Sequence, residues 1–375
     1  MVGAGIIGLS VAYHLASLGT GRVVVLERES IASGSTAKAT GGLRHQFSQR
    51  IHVQLSKRSI DFYSTIEDRL GYPVPFSRVG YAFLVDDEAA MASLKESVSM
   101  QNSLGVPTEF VTPADLHRRY PMINVEGLVA ATYCPLDGVG SPVDAAMAFA
   151  HAARRLGVDI REDCTVTGVH VENSRITGVS TPMGLIGCDQ LVLATGAWTS
   201  RFDQTLAWQF PIEPHPRQVF VLSSVDGTRD LPFLVDVRSG VYVHVEANDI
   251  LLGGGDRDRG ASYAAVVDWS RLANVAEAMT HRIPALTYAR AITAWCGLRE
   301  MTPDDMPLLG PVPSVDGVWC AAGFSGHGFM HAPAAGEVMA GWITGSPTLD
   351  FDVSGLRLDR FTSGAGSVVT ETTVF

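Results

Sequence analysis

Lysine is nearly absent from this chain. Of 28 basic residues only Lys38, Lys57 and Lys95 are lysine, so every basic residue after position 95 is arginine. Acidic residues outnumber basic ones by 39 to 28, a net charge of −11. That balance argues against nucleic acid or an anionic membrane as partner. The five cysteines (Cys134, Cys164, Cys188, Cys296, Cys320) are odd in number and lack any C-x-x-C pair. Neither a disulfide framework nor a zinc ribbon is indicated, no metal is expected, and a reducing cytoplasm fits. No apolar run is long enough to span a bilayer, and a glycine motif fills the place where a secretion signal would stand. No Ser/His/Asp set is legible, which sets hydrolysis aside. Internal repeats and low-complexity blocks are also missing.

The chain is organised around its first residues. Gly3, Gly5 and Gly8 form G-x-G-x-x-G. The first glycine permits a tight strand-to-helix turn, the second lets a pyrophosphate approach the backbone, and the third lets helix and sheet pack closely. Ile6 and Ile7 open a segment in which Ile6, Leu9, Ala12, Tyr13 and Ala16 share one helical face, and Gly19 suits its end. Arg22–Leu26 reads as a buried strand ending at Glu27, nineteen residues after Gly8, where a carboxylate would hold ribose hydroxyls. Only Met1 and Val2 precede Gly3. The expectation is a stub first strand or a truncated start.

Residues 33–42 form a small, polar loop able to press N–H groups and hydroxyls against phosphate. Helices are expected over 50–69, 87–104, from the Thr112 cap, over 143–156 and over 266–282. Strands are expected over 81–85, 127–133, 158–161, 165–171, 176–180, 189–193, 218–222, 241–245 and 250–253. Residues 295–310 read as turn-rich. Val318–Pro333 reads as strand, glycine loop and helix start, a second positive helix N-terminus. The tail from Ser363 reads as loose. The fold class expected is α/β, with a Rossmann-type dinucleotide domain in three pieces (1–75, 140–208, 293–362). An α+β substrate domain (76–139, 209–292) is inserted, and 363–375 form a flexible tail.

Several stretches together resemble the D-amino-acid oxidase superfamily, in its glycine oxidase and sarcosine oxidase β-type branch. They are Gly3–Gly8 with Glu27, Gly34-Ser-Thr-Ala, Gly41-Gly-Leu-Arg-His-Gln-Phe-Ser, Ala194-Thr-Gly-Ala-Trp, Gly297-Leu-Arg with Thr302-Pro-Asp, and Gly323-Phe-Ser-Gly-His-Gly-Phe-Met. The arginine–Gln-Phe-Ser stretch is most similar to catalytic subunits of dye-linked proline dehydrogenases. The resemblance implies bound FAD between the dinucleotide domain and an inserted antiparallel sheet, and an amine or amino acid oxidised at its C–N bond. It assigns Gly3, Gly5, Gly8, Glu27, Arg28, Ser35, Thr36, Gly41, Gly42 and Leu43 to the dinucleotide, with Ile6 and Ile7 at the helix start. Val166 falls at the adenine. Ala194, Gly196 and Trp198 fall on the pyrophosphate and flavin side. Gly323, Phe324, Gly326, His327, Gly328, Phe329 and Met330 fall at the isoalloxazine loop.

The residues expected at the chemistry are Arg44 and Arg299 for a substrate carboxylate, with His327 and Tyr242 beside them. Three departures from the family pattern carry expectations. The covalent-attachment cysteine of some relatives falls on or near Gly297, one residue past Cys296, so FAD is expected to be non-covalent. The carboxylate-holding lysine of sarcosine oxidases is replaced by Met330. The oxygen-activating lysine of those enzymes has no counterpart in 248–254, so a dehydrogenase is expected, and a second, electron-accepting subunit stays open. Simpler roles stand beside these: ion pairing for Arg44 and Arg299, loop packing for His327 and His331, sheet packing for Tyr242 and His244, turn shaping for Asp304 and Asp305. Two other functions also stay open, a nicotinamide-linked dehydrogenase and a non-catalytic subunit of this fold.

Overall fold

A computed structural model describes residues 1–346, 349–361 and 370–373. Its dinucleotide half is a mostly parallel sheet. Asp159–Arg161 pairs with Val24–Leu26, and Leu191–Leu193 pairs with Val318–Ala322, which also carries antiparallel Leu308–Pro311. Val2 fills the centre, bridging in parallel to both Leu26 and Leu193. The N–H of Val2 reaches the Val192 carbonyl at 2.9 Å and that of Gly3 reaches the Leu26 carbonyl at 2.9 Å. Val2 thus stands in the place of the first strand, between Val24–Leu26 and Leu191–Leu193.

Two helices lie side by side on this sheet, Ile6–Ser17 and Gly328–Thr344. Their contact is made by small residues. A Cβ on Gly336 would sit 2.2 Å from Ser10 Oγ and 2.8 Å from the Ser10 carbonyl carbon. The Ser10 hydroxyl donates to the Ala332 carbonyl at 2.8 Å. Pro333 interrupts the second helix and has no N–H for the Phe329 carbonyl four residues back. The Tyr63 phenol donates to that carbonyl instead, at 2.7 Å. Tyr63 ends Arg50–Tyr63, and the sequence-expected helix over 50–69 is split there from Ile66–Leu70.

The other half is an eight-stranded sheet. In spatial order its strands are Ala291–Met301, Glu213–Ser223, Asp249–Gly253, Val241–Glu246, Phe233–Asp236, Tyr81–Val85, Ala130–Cys134 and Glu109–Val111. It is not wholly antiparallel as expected, because Phe233–Asp236 runs parallel to Tyr81–Val85. The turn-rich reading of 295–310 is corrected in part. Residues Ala291–Met301 form an eleven-residue strand paired along Glu213–Ser223. The boundary drawn at 293 thus falls inside a strand of the large sheet. Pro214 and Pro216 are tolerated in the partner strand because its second neighbour, Asp249–Gly253, pairs only with Val219–Ser223. Gly42–Leu43, Gly138–Gly140 and Phe76–Ser77 make a small sheet between the halves.

Of the tail expected to be loose from 363, residues 370–373 are described. Glu371 is 1 % and Thr373 5 % exposed, held by side chains described below. Residues 362–369 and 374–375 lie outside the described residues.

Gly336→Ala is expected to lower the melting temperature. Alanine gains about 1 kcal/mol of helix propensity, but the collision includes backbone that cannot rotate away, and overpacking costs about 1–3 kcal/mol. A thermal melt of both proteins checks the sign.

Candidate active site

Both glycine loops open into one cleft of about 470 Å³ between the two halves. The first loop is shaped for close approach. Gly3 has φ +101°, and a Cβ there would lie 2.4 Å from the Ala194 carbonyl oxygen. Thr36 Oγ1 accepts from the Ile6 N–H at 3.1 Å, standing at the start of the first helix. Glu27 accepts the N–H groups of Ala4 at 2.8 Å and Glu29 at 3.0 Å, which turns its carboxylate across the end of Val24–Leu26. Arg28 lies over the Trp198 ring at 4.1 Å and the pair walls one side of the cleft.

Most expected cofactor residues line this cleft: Gly3, Gly5, Ile6, Ile7, Glu27, Arg28, Ser35, Thr36, Gly41, Gly42, Val166, Ala194, Gly196, Trp198, Gly326, His327, Gly328, Phe329 and Met330. Gly8, Leu43, Gly323 and Phe324 do not; they pack behind the lining. Gly8 lies against the Gly3 carbonyl, and Leu43 and Phe324 are fully buried core residues. A Cβ on Gly323 would meet Thr302 Cγ2 at 2.6 Å. None of the five cysteines lines the cleft. The Cys296 thiol instead lies 3.9 Å from Arg259 Nη1 and 3.7 Å from the Gly297 carbonyl.

Arg44, Arg299, His327 and Tyr242 come together at the end where the large sheet meets the second helix start. Arg299 packs on Gly326, where a Cβ would fall 2.9 Å from its Nε. Arg44 is 3 % exposed, over the Phe47 ring at 3.9 Å, and its Nη2 lies 3.3 Å from His327 Nε2. Burial lowers the Arg44 guanidinium somewhat, and the negative groups of Glu371 and Asp137 work against that. Burial, then the neighbouring Arg44 charge, pushes His327 well below its ordinary value, so it is a neutral ring. His331 is pushed down the same way and meets the Ser56 hydroxyl at 3.0 Å. Both histidines pack with the His52 ring, 5.8 and 5.1 Å away. Burial raises the Tyr242 phenol, with Arg299 opposing. His244 stays behind the lining, stacked on Phe233 at 4.7 Å, its ring pushed down to about 4 by burial. Asp304 pairs with Arg360 at 2.7 Å, fixing the turn.

The structure adds residues that no pattern marked. His45, Cys134 and Asp137 form a buried group beneath Arg44. His45 Nδ1 meets Asp137 at 2.6 Å, and Asp137 also accepts the His45 N–H at 2.8 Å and Gln46 Nε2 at 3.2 Å, so protein donors already serve it. Arg217 lines the cleft opposite Gly297 and pairs with Asp256 at 3.5 Å. Reading the strand at 218–222 back through its prolines would have found it. Lys38 stands exposed at the cleft rim. Glu300 faces the same cleft beside Gly196, with Oε2 lacking any hydrogen-bond partner. Burial pushes its carboxyl up to about 7, against the Gly323 and Phe324 N–H groups.

A raised carboxyl favours folding only while protonated. Its contribution is full below the ordinary value near 4.5 and is lost as pH rises to about 7. Glu300→Gln apoprotein should therefore match wild type near pH 4. It should become more stable than wild type between pH 4.5 and 7, on the order of 2 kcal/mol at the upper end. Paired melts across that range check it.

The cleft fits a flavin dinucleotide. Its glycine cradle, the threonine and glutamate at the first helix start, and a second helix start at the far end supply what a pyrophosphate, a ribose and a ring that gains negative charge on reduction require. Among known proteins, the chain is 27 % identical to mouse (Mus musculus) mitochondrial sarcosine dehydrogenase over 366 residues, covering 93 % of this chain and 40 % of that protein. It thus spans less than half the length of that relative. It is 26 % identical to the sarcosine oxidase β subunit of Rhodobacter capsulatus, over 91 % of this chain and 83 % of that one. The solved structure of L-proline dehydrogenase from P.horikoshii superposes with a TM-score of 0.91 at 32 % identity, covering 97 % of both chains. Residues 1–342 match the model of the DAO family, described as FAD dependent oxidoreductase. The chain belongs to the FAD dependent oxidoreductase family.

Proposed function

We propose that this protein oxidises the C–N bond of a small amine or amino acid, with a secondary or N-methylated nitrogen as in sarcosine or proline, or a primary one as in glycine. The observation that carries this reading is the pair Arg44 and Arg299 at the flavin end of the cleft, in a wall otherwise built from Tyr81, Phe233, Val235 and Tyr242. A guanidinium offers a fork matched to a carboxylate. The apolar wall suits a small hydrocarbon body. The names of the relatives point the same way, since they act on sarcosine and proline.

Bound FAD supplies the two-electron acceptor for the hydride leaving the carbon next to nitrogen. The residues assigned to hold it are those around Gly3–Ile7, Glu27–Thr36, Gly41–Gly42, Val166, Ala194–Trp198 and Gly326–Met330. The chain's own work is orientation and electrostatics. The start of Gly328–Thr344 directs positive potential at the flavin end, where negative charge grows on reduction. Neutral His327 adds no charge there, and Met330 leaves carboxylate binding to the arginines. We read the flavin as non-covalent because no cysteine lines the cleft, so acid precipitation should release all of it.

Arg44→Ala and Arg299→Ala should each raise KM for the amino acid steeply while FAD stays bound. Loss of a charge-assisted pair in a dry site costs on the order of 2–5 kcal/mol. Unchanged kcat/KM in either variant removes that residue from the site. Asp249–Gly253, the strand region where an oxygen-activating lysine would stand, has none, and Arg217 is already paired. The reduced enzyme should hence pass electrons to an artificial dye faster than to oxygen. Equal rates, with peroxide formed in step with turnover, would make it an oxidase.

A further inference from the structure

The C-terminal segment Thr370–Thr373 docks beside the candidate carboxylate site through one buried side chain. The Glu371 carboxylate accepts the N–H groups of Ser48 at 2.9 Å and Gln49 at 3.0 Å, the Ser48 hydroxyl at 2.7 Å and His52 Nδ1 at 3.0 Å. It also accepts the N–H of Thr373 at 2.9 Å and its hydroxyl. The Glu371 N–H donates to the Asp304 carbonyl at 3.0 Å, and Gln49 Nε2 donates to the Thr370 carbonyl at 3.0 Å. Burial alone would raise the Glu371 carboxyl. The His52, Thr373 and Ser48 donors outweigh it and hold the group below the usual carboxylate range.

What this anchor delivers is Thr373. Its hydroxyl accepts from Arg44 Nη1 at 3.3 Å and its carbonyl accepts from Arg44 Nη2. Two oxygens of one residue thus meet the two terminal nitrogens of one guanidinium, the pattern in which arginine binds a carboxylate. The remaining terminal contacts of Arg44 go to the Gln46 carbonyl and His327 Nε2. Four of its five N–H donors are then committed. A substrate carboxylate that takes the fork of Arg44 must displace a partner. Gln46 is tied to Tyr81, Asp137 and Thr132, and His327 belongs to the helix start. Thr373 is the partner that can leave with its segment.

We propose that Thr373 and the carboxylate of the amino-acid substrate are alternative occupants of Arg44, so that the segment Thr370–Thr373, latched by Glu371, lowers the enzyme's affinity for carboxylate ligands. This rests on the reading of Arg44 as a carboxylate ligand. When only a fraction of molecules have Arg44 free, apparent affinity falls by that fraction. By reciprocity, ligand binding must release the segment.

The test titrates the FAD-loaded enzyme with pyrrole-2-carboxylate, read by the flavin absorbance change. Wild type is compared with a chain ending at Val369, with Glu371→Ala and with Arg44→Ala. Both tail variants should bind about tenfold more tightly, and Arg44→Ala should bind more weakly than wild type. In wild type, saturating ligand should also speed hydrogen exchange at the Glu371 and Thr373 amides. If Arg44→Ala weakens binding but both tail variants bind as wild type or more weakly, the competition is refuted while Arg44 keeps its role. If Arg44→Ala leaves affinity unchanged, Arg44 is not a carboxylate ligand and the competition falls with it.

Discussion

The close contact between the first helix and the C-terminal helix sets the geometry of everything else. Gly336 against Ser10 brings the two axes together, and the Ser10–Ala332 hydrogen bond fixes their register. Because both helices begin at glycine loops on the same side of the sheet, their positive ends face one cleft. A dinucleotide needs such donors at its pyrophosphate, and a flavin ring gains from one where reduction places negative charge. Helices hundreds of residues apart are thereby made into one binding surface. Tyr63, replacing the hydrogen bond that Pro333 cannot make, ties Arg50–Tyr63 to the same pair. It thereby links the helix that follows the Arg44 loop to the flavin end.

Much of this was legible in the sequence because the fingerprint is a local constraint. Gly3 and Gly8 are required by backbone clearance within one short unit, and the structure places Glu27 at the same turn, accepting the Ala4 N–H. What the sequence concealed depends on distant partners. The strand Ala291–Met301 carries Gly297 and runs into a Pro-Asp-Asp turn, so local pattern reads as loop; its long pairing with Glu213–Ser223 overrides that. Glu300 looks like any surface acid until the fold half-buries it beside Gly196, with Oε2 shut from solvent. The Gly/Ser/Thr-rich tail reads as loose by composition, yet Glu371 finds the Ser48–His52 donors.

The scarcity of lysine acquires a physical meaning at the site. The cationic groups around the flavin end are arginines, whose planar forks bind in fixed directions and remain charged when buried. The histidines there are neutral, because burial among positive neighbours disfavours their protonation. Positive charge in the cleft is carried by arginines, Arg44 and Arg299 among them, with Lys38 at the rim and apolar and aromatic surface between. Under the proposed reading, this combination favours a carboxylate on a small body over an amine alone. The Thr373 contact fits the same logic, since the free fork of a buried arginine attracts whatever oxygen pair can reach it.

The central claim is that the cleft recognises an amino acid through its carboxylate and oxidises it with the bound flavin. The most direct measurement is anaerobic bleaching of the flavin by matched pairs, sarcosine against N-methylethylamine and proline against pyrrolidine. The account predicts that at least one of the two carboxylate-bearing compounds bleaches the flavin at millimolar concentration or below, while its partner lacking the carboxylate does so far more slowly. Equal bleaching within each pair, or none by any small amino acid, would contradict it.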